Sequence, residues 1–122
     1  MMSIGGLLKT IIAGSRTVTD PVVVEDAIRL SRFDITEVVS GGCQGVDLMG
    51  EEWARYNNLR VQRFPADWGT YGISAGPRRN ASMAEYADAL IAVWDGVSRG
   101  TRNMIQEARK RGLKVYIHNI NR

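Results

Sequence analysis

Five short apolar runs recur along the chain, and between them the apolar residues return at helical spacing. Leu7–Ala13 (LLKTIIA) is compact, rich in β-formers and followed by Gly14, the composition of a strand. Asp20 and Pro21 then open a helix, Asp as N-cap and Pro at the first helical position, where a missing N–H costs nothing. The spacing carries this helix through Phe33 and predicts a buried stripe of Val23, Ala27 and Leu30, with Val24 beside them. Thr36–Ser40 (TEVVS) reads as a second strand closed by Gly41-Gly42, and Val46–Tyr56 as a helix with Val46, Met49, Trp53 and Ala54 on one face. Leu59–Phe64 alternates as a third strand. Pro65–Gly76 carries three glycines and two large aromatics and is expected to be irregular. Pro77–Ala87 is helical in pattern, with Met83 and Ala87 on one side. Ala89–Trp94 is a fourth strand, Thr101–Arg111 a helix stopped by Gly112, and Leu113–Ile117 a fifth strand.

Strands that alternate with helices predict an α/β fold with a mostly parallel sheet, because each strand must be carried back over a face before the next begins. Right-handed crossovers then favour a Rossmann-like, doubly wound sheet of five strands in the order 3-2-1-4-5. No repeat, low-complexity tract or long linker divides the 122 residues, so a single domain over 1–122 is expected.

In such a sheet ligands bind beyond the carboxyl ends of the strands, where the winding reverses. Three glycine-bearing segments fall there: Gly14-Ser15-Arg16-Thr17 after strand one, Ser40-Gly41-Gly42-Cys43-Gln44-Gly45 after strand two, and Asp95-Gly96-Val97-Ser98-Arg99-Gly100-Thr101 after strand four. Glycine lets backbone N–H groups approach an anion, the following helix adds its positive end, and Ser, Thr and Arg add further donors. A glycine-rich strand-to-helix turn is common by itself; three opening on one rim point to a phosphate-bearing ligand.

Composition narrows the setting. Sixteen Lys and Arg against thirteen Asp and Glu leave a formal charge of +3, a small excess that suits a nucleotide as well as a weak nucleic-acid contact. Cys43 is the only cysteine, so neither an internal disulfide nor a multi-cysteine metal cage can form, which fits a reducing cytoplasm. The N-terminal run lacks a positive n-region and is interrupted by Lys9 and Arg16, so neither a signal peptide nor a membrane span is expected. No metal, cofactor or membrane partner is expected.

The segments SGGCQGVDLMGEEWA and FPADWGTYGISAGPRRNASMAEYADALIAVWDGVSRGTRN resemble the small YspA-type proteins of the SLOG superfamily. That superfamily also holds the LOG cytokinin-activating phosphoribohydrolases and the DNA-processing protein DprA. The resemblance runs through nearly the whole chain and is most specific at GGxxGVD, ADW…YG…AGPxRN and DGxSRGT. It implies a Rossmann-like domain whose relatives bind or process nucleotides and ADP-ribose-like molecules, and it is compatible with a phage origin. Arg79-Asn80-Ala81-Ser82-Met83 is similar to the Arg-Lys-x-x-Met helix of the LOG enzymes, with Asn80 replacing the Lys. Asp95–Thr101 is similar to their PGGxGTxEE loop, one residue longer, but is followed by Arg102-Asn103-Met104 where that pattern has acids. The carboxylate for an oxocarbenium-like sugar is missing from its expected place.

The candidate ligand residues are Gly14, Ser15, Arg16, Ser40, Gly41, Gly42, Gly45, Asp47, Arg79, Asn80, Asp95, Gly96, Ser98, Arg99, Gly100 and Thr101. Arg79 reads as a phosphate clamp or as a surface Arg paired with Glu85, and Arg16 as a second clamp. Asp47 and Asp95 would receive ribose hydroxyls or serve as acid and base; helix-end charge accounts for Asp47 equally, and capping of its own turn is the default reading of Asp95. Trp68 and Tyr71 would stack on a base or cover the site, or form a satellite cluster under the loop; Trp94 reads as core. Cys43 and His118 are not expected to meet. Three functions follow: a nucleotide-derivative sensor or sequestering protein, an N-glycosidic hydrolase or transferase with Asp47, Asp95 or Glu52 as carboxylate, and, least favoured, a nucleic-acid module using Arg109-Lys110-Arg111 and Lys114. A homodimer is expected.

Overall fold

The computed structural model describes residues 7–120, and the part of the N-terminal apolar run at 1–6 lies outside them. Five strands, β1 (Leu8–Gly14), β2 (Ile35–Ser40), β3 (Arg60–Arg63), β4 (Ala89–Trp94) and β5 (Lys114–Asn119), form one sheet in the order β3-β2-β1-β4-β5. Every neighbouring pair is parallel. The expected α/β class and strand order are those observed.

The two faces of the sheet can be read strand by strand, because successive side chains point to opposite sides. Ile12, Val38, Ile91 and Val93 turn to one face, beneath α1 (Pro21–Ser31) and α2 (Val46–Tyr56). Ile11, Val39, Leu90 and Ala92 turn to the other, beneath two further helices, α4 (Ala75–Tyr86) and α5 (Arg99–Lys110). Residues Ala89 to Val93 of the inner strand β4 are wholly buried, which is why that segment is a continuous apolar run and not an alternating one. Edge strands β3 and β5 keep partly open, polar-interrupted sequences.

The helix starts follow local chemistry. Asp20 accepts the Val22 N–H at 3.0 Å and Pro21 stands at N1, so α1 begins where the sequence places it. Its inner line is Val24, Ala27 and Ile28, an i, i+3, i+4 set. Leu30, expected in the stripe, is instead 48% exposed, because that line turns its position away from the sheet.

The stretch expected to be irregular contains a short helix, α3 (Trp68–Tyr71), and a 3₁₀ turn at Gly72–Ser74. Asp67 starts α3 by accepting the Thr70 N–H at 3.1 Å. Helix α4 starts at Ala75, two residues before Pro77; a proline fits there because first-turn N–H groups have no intrahelical acceptor. Helix α5 likewise starts early, at Arg99, because the Asp95 carboxylate accepts the N–H groups of Val97 at 2.9 Å and Ser98 at 2.8 Å and bends the chain into it. Among the described residues, no helix is long and apolar enough to cross a membrane.

Candidate functional site

The winding reverses between β1 and β4, and a cavity of about 530 Å³ opens at the carboxyl ends of these strands. That volume lies in the range of small-molecule sites.

Its first wall is Gly14–Thr17. A Cβ on Gly14 would stand 2.3 Å from the Val93 carbonyl oxygen and 2.9 Å from Val46 Cγ2, so only glycine lets β1 leave the sheet between β4 and α2. Ser15 donates its N–H to the same Val93 oxygen at 3.2 Å. Its hydroxyl lies 2.8 Å from that of Thr17 and accepts the Thr17 N–H at 3.2 Å, which ties the turn. Arg16 is exposed, with Nη2 4.0 Å from Cys43 Sγ.

The second wall is Asp95, Ser98 and the first turn of α5, Arg99, Gly100 and Thr101. The first N–H groups of a helix lack intrahelical acceptors and carry the positive end of its dipole, so this wall is rich in donors. The hydroxyls of Ser98 and Thr101 stand 3.2 Å apart, and Trp94, half-buried against the core, holds the Ser98 carbonyl through its Nε1 at 3.1 Å.

Helix α4 supplies the third wall, with Arg79 and Asn80. Arg79 does not pair with Glu85, which meets Arg111 at 3.8 Å. Its Nη1 donates to the Gly41 carbonyl at 2.9 Å and its Nε to Asn80 Oδ1 at 3.0 Å. Asn80 in turn donates from Nδ2 to Asn103 Oδ1 at 2.9 Å and to the Gly100 carbonyl at 3.4 Å.

Asp47 closes the floor. It is only 5% exposed, lines the cavity, and accepts the Cys43 N–H at 3.2 Å on Oδ2. Burial pushes its carboxyl up to about 6; the N–H groups of Cys43 and Gly14 and the charge of Arg79 pull the other way without cancelling it. A carboxyl in this range exchanges a proton near neutrality, and when ionised it accepts hydrogen bonds from hydroxyl groups.

The cavity thus brings together Gly14, Ser15, Arg16, Asp47, Arg79, Asn80, Asp95, Ser98, Arg99, Gly100 and Thr101 from the sequence-derived set. Five others stand behind its walls. Ser40 turns inward, donating to Glu51 at 2.6 Å and accepting the Gly42 N–H at 3.0 Å. Gly41 makes room for Arg79, and Gly42 packs against the Arg63 side chain. Gly45, at φ +82°, would place a Cβ 2.4 Å from the Ser15 carbonyl oxygen, and it lets α2 rest on the first turn. Gly96, at φ +86°, shapes the bend after Asp95. None of the five is among the residues that line the cavity.

Other expectations separate in the same way. Trp68, 53% exposed, is on the cavity wall, whereas Tyr71 is off it, stacked under the Arg78 guanidinium at 4.3 Å. Glu52 is exposed; its neighbour Glu51 is the buried one, gripped by Arg63 at 2.6 Å and Arg55 at 3.2 Å. Burial pushes the Glu51 carboxyl up, but the hydrogen bonds of Arg63 and Ser40 and the two Arg charges outweigh it and hold it below its ordinary value. Neither the spacing nor the charge pattern singled out Glu51. His118 lies on edge strand β5 beside Tyr116, with the hydroxyl 3.3 Å from Nδ1, and Cys43 on the cavity wall. Arg109, Lys110 and Arg111 end α5 at the opposite end from the cavity, and Lys110 and Arg111 already meet Glu107.

Asn103 was missed as a wall residue; its place three positions after Gly100, on the same face of α5, is the signal that finds it. Asn103 and Met104, which stand where the LOG pattern has acids, both line the cavity, so that part of the wall is uncharged.

The sequence profile of the YspA, cpYpsA-related SLOG family matches residues 8–71. The chain belongs to this family. A curated relative, the Gene 61 protein of Mycobacterium phage D29, is 34% identical over 117 residues, covering 88% of this chain and 93% of its own. Among solved structures, DNA processing protein A (DprA) from Streptococcus pneumoniae superposes with a TM-score of 0.71 over 89% of this chain and 49% of that one. At 17% identity this likeness is one of fold, and the YspA-type chain spans about half the length of the DprA chain.

Proposed function

We propose that the protein binds a nucleotide or nucleotide-derived, ADP-ribose-like ligand in the cavity at the carboxyl edge of the sheet, as a sensor or sequestering protein. One observation carries this reading: a donor-rich wall, built from the first turn of α5 with Arg16, faces a floor made by the buried carboxylate of Asp47. Phosphate oxygens are pure acceptors and suit the first; sugar hydroxyls are donors and suit the second. Trp68 offers an aromatic plane to a base. Membership of the SLOG family supports the same class of ligand. The uncharged Asn103 and Met104 favour holding over cleavage. The proposal extends to a cytoplasmic homodimer, whose mass in solution sedimentation would read.

The test is a calorimetric titration with ADP-ribose, AMP and NAD, followed by chromatography of the mixtures. Saturable binding of at least one, with the ligand recovered intact, is expected. Absence of binding to all three overturns the reading. Release of free base would favour a second one, an N-glycosidic hydrolase, which the raised carboxyl of Asp47 supports as a proton donor near neutral pH.

A further inference from the structure

Side-chain amides look alike from either end, but here donor and acceptor chemistry fixes which way each one points. The Nε of Arg79 is a donor and nothing else, so the Asn80 atom 3.0 Å from it must be the carbonyl oxygen. The Gly100 carbonyl is an acceptor and nothing else, so the Asn80 atom facing it must be the nitrogen. Both constraints agree, and Asn80 is only 6% exposed, too enclosed to rotate between alternatives. The atom of Asn103 that lies 2.9 Å from the Asn80 nitrogen is therefore an oxygen. Its other end, Nδ2 with two hydrogens, is what Asn103 has left to offer the cavity it lines.

We propose that Asn103 is a specificity-determining residue that presents a fixed N–H donor to the cavity, and that Arg79 is the positioning residue that sets its direction through Asn80. The chain Arg79→Asn80→Asn103 runs one way only, because a guanidinium cannot accept. The donor it delivers belongs to α5, beside the first-turn N–H groups, which have no acceptor within the helix, and the Ser98 and Thr101 hydroxyls. It requires an acceptor at this position, and it favours an anionic phosphate oxygen over a sugar hydroxyl because a hydrogen bond to a charged acceptor is the stronger one. This rests on the nucleotide reading and deepens it: the phosphate end lies against α5 and the hydroxyl-bearing end towards Asp47.

Two measurements separate this inference from that reading. Without ligand, side-chain amide spectra should show the Asn80 NH₂ protected from solvent exchange and the Asn103 NH₂ exchanging freely. Arg79→Met, which removes the donor that orients Asn80, should shift both pairs. Resonances of the Asn103 pair unmoved by Arg79→Met overturn the relay whatever the protein binds. With ligand, Asn103→Asp places a carboxylate oxygen where the donor stood, and ADP-ribose should bind at least tenfold more weakly. Asn103→Ser, which keeps a donor, should retain most of the affinity. Equal binding by wild type and Asn103→Asp, with unchanged melting temperature, overturns the selection alone. A wild type that binds no ADP-ribose, AMP or NAD overturns the nucleotide reading and the selection with it, while the amide spectra still judge the relay.

Discussion

Arg79 and Gly41, 38 residues apart in the chain, are locked together: the guanidinium rests on the glycine backbone with Nη1 2.9 Å from its carbonyl oxygen. A Cβ on Gly41 would come within 2.6 Å of that nitrogen and 3.0 Å of an Asp47 oxygen. The obstacle is the far end of a flexible side chain, so the fold can yield while the site cannot. Gly41→Ala should weaken ADP-ribose binding about tenfold and lower stability by less than about 1 kcal/mol. Calorimetry and urea denaturation of the same sample check both halves.

Gly14 presents the opposite case. Its added Cβ would meet the Val93 carbonyl, which is backbone in the middle of the sheet, at 2.3 Å, and neither strand can step aside without losing its register. Gly14→Ala should destabilise the protein by about 1–3 kcal/mol or more, the range of overpacked interiors. A urea midpoint equal to that of wild type would contradict the geometry.

Asp47 predicts a dependence on pH with a definite sign. Its folded carboxyl is raised from an ordinary 3.8 to about 6, so the folded state holds the proton more tightly than the unfolded chain. The stability this gives is complete below the ordinary carboxyl range and is lost as pH rises through about 6. Asp47→Asn removes the titration but keeps an oxygen for the Cys43 N–H. The variant should therefore gain on wild type between roughly pH 4 and pH 7, by up to about 3 kcal/mol, since each tenfold change in proton affinity is worth roughly 1.4 kcal/mol. Thermal denaturation of both proteins across that interval reads the difference directly, and a constant difference would refute the raised carboxyl.

The two hydroxyls at the start of α5 should matter to a charged guest and not to a neutral one. Ser98→Ala with Thr101→Val removes two donors and should weaken ADP-ribose binding by about 1–3 kcal/mol, at roughly 0.5–1.5 kcal/mol per hydrogen bond. Adenosine, which lacks phosphate, should bind the variant and wild type alike. Equal losses for both ligands would mean that the wall is not where the phosphate sits.

How far the sequence discloses this molecule depends on the range of the interaction involved. Strand order follows from local periodicity and the handedness of crossovers, so β4, apolar on both sides, and α1, with Asp20 and Pro21 at its head, are readable directly. The rim is readable as a set of loops because each begins where a strand ends. What one residue does within that rim is not, since it depends on partners distant in sequence. Ser40 looks like Ser98 on paper, yet one serves the buried Glu51 and the other lines the cavity. Glu51 and Glu52 are adjacent acids that differ only in which side of α2 meets Arg63. Leu30 shows the limit of periodicity itself, for a stripe drawn through Ala27 can tilt either way until the sheet chooses.

One consequence lies in Gly45. Because it carries no side chain, the beginning of α2 rides directly on the peptide joining Ser15 and Arg16, and the Val46 N–H is bonded to the Ser15 oxygen at 3.3 Å. The loop that brings Arg16 to the cavity and the helix that brings Asp47 are thus joined at one backbone seam, and a side chain at position 45 would pry that seam open.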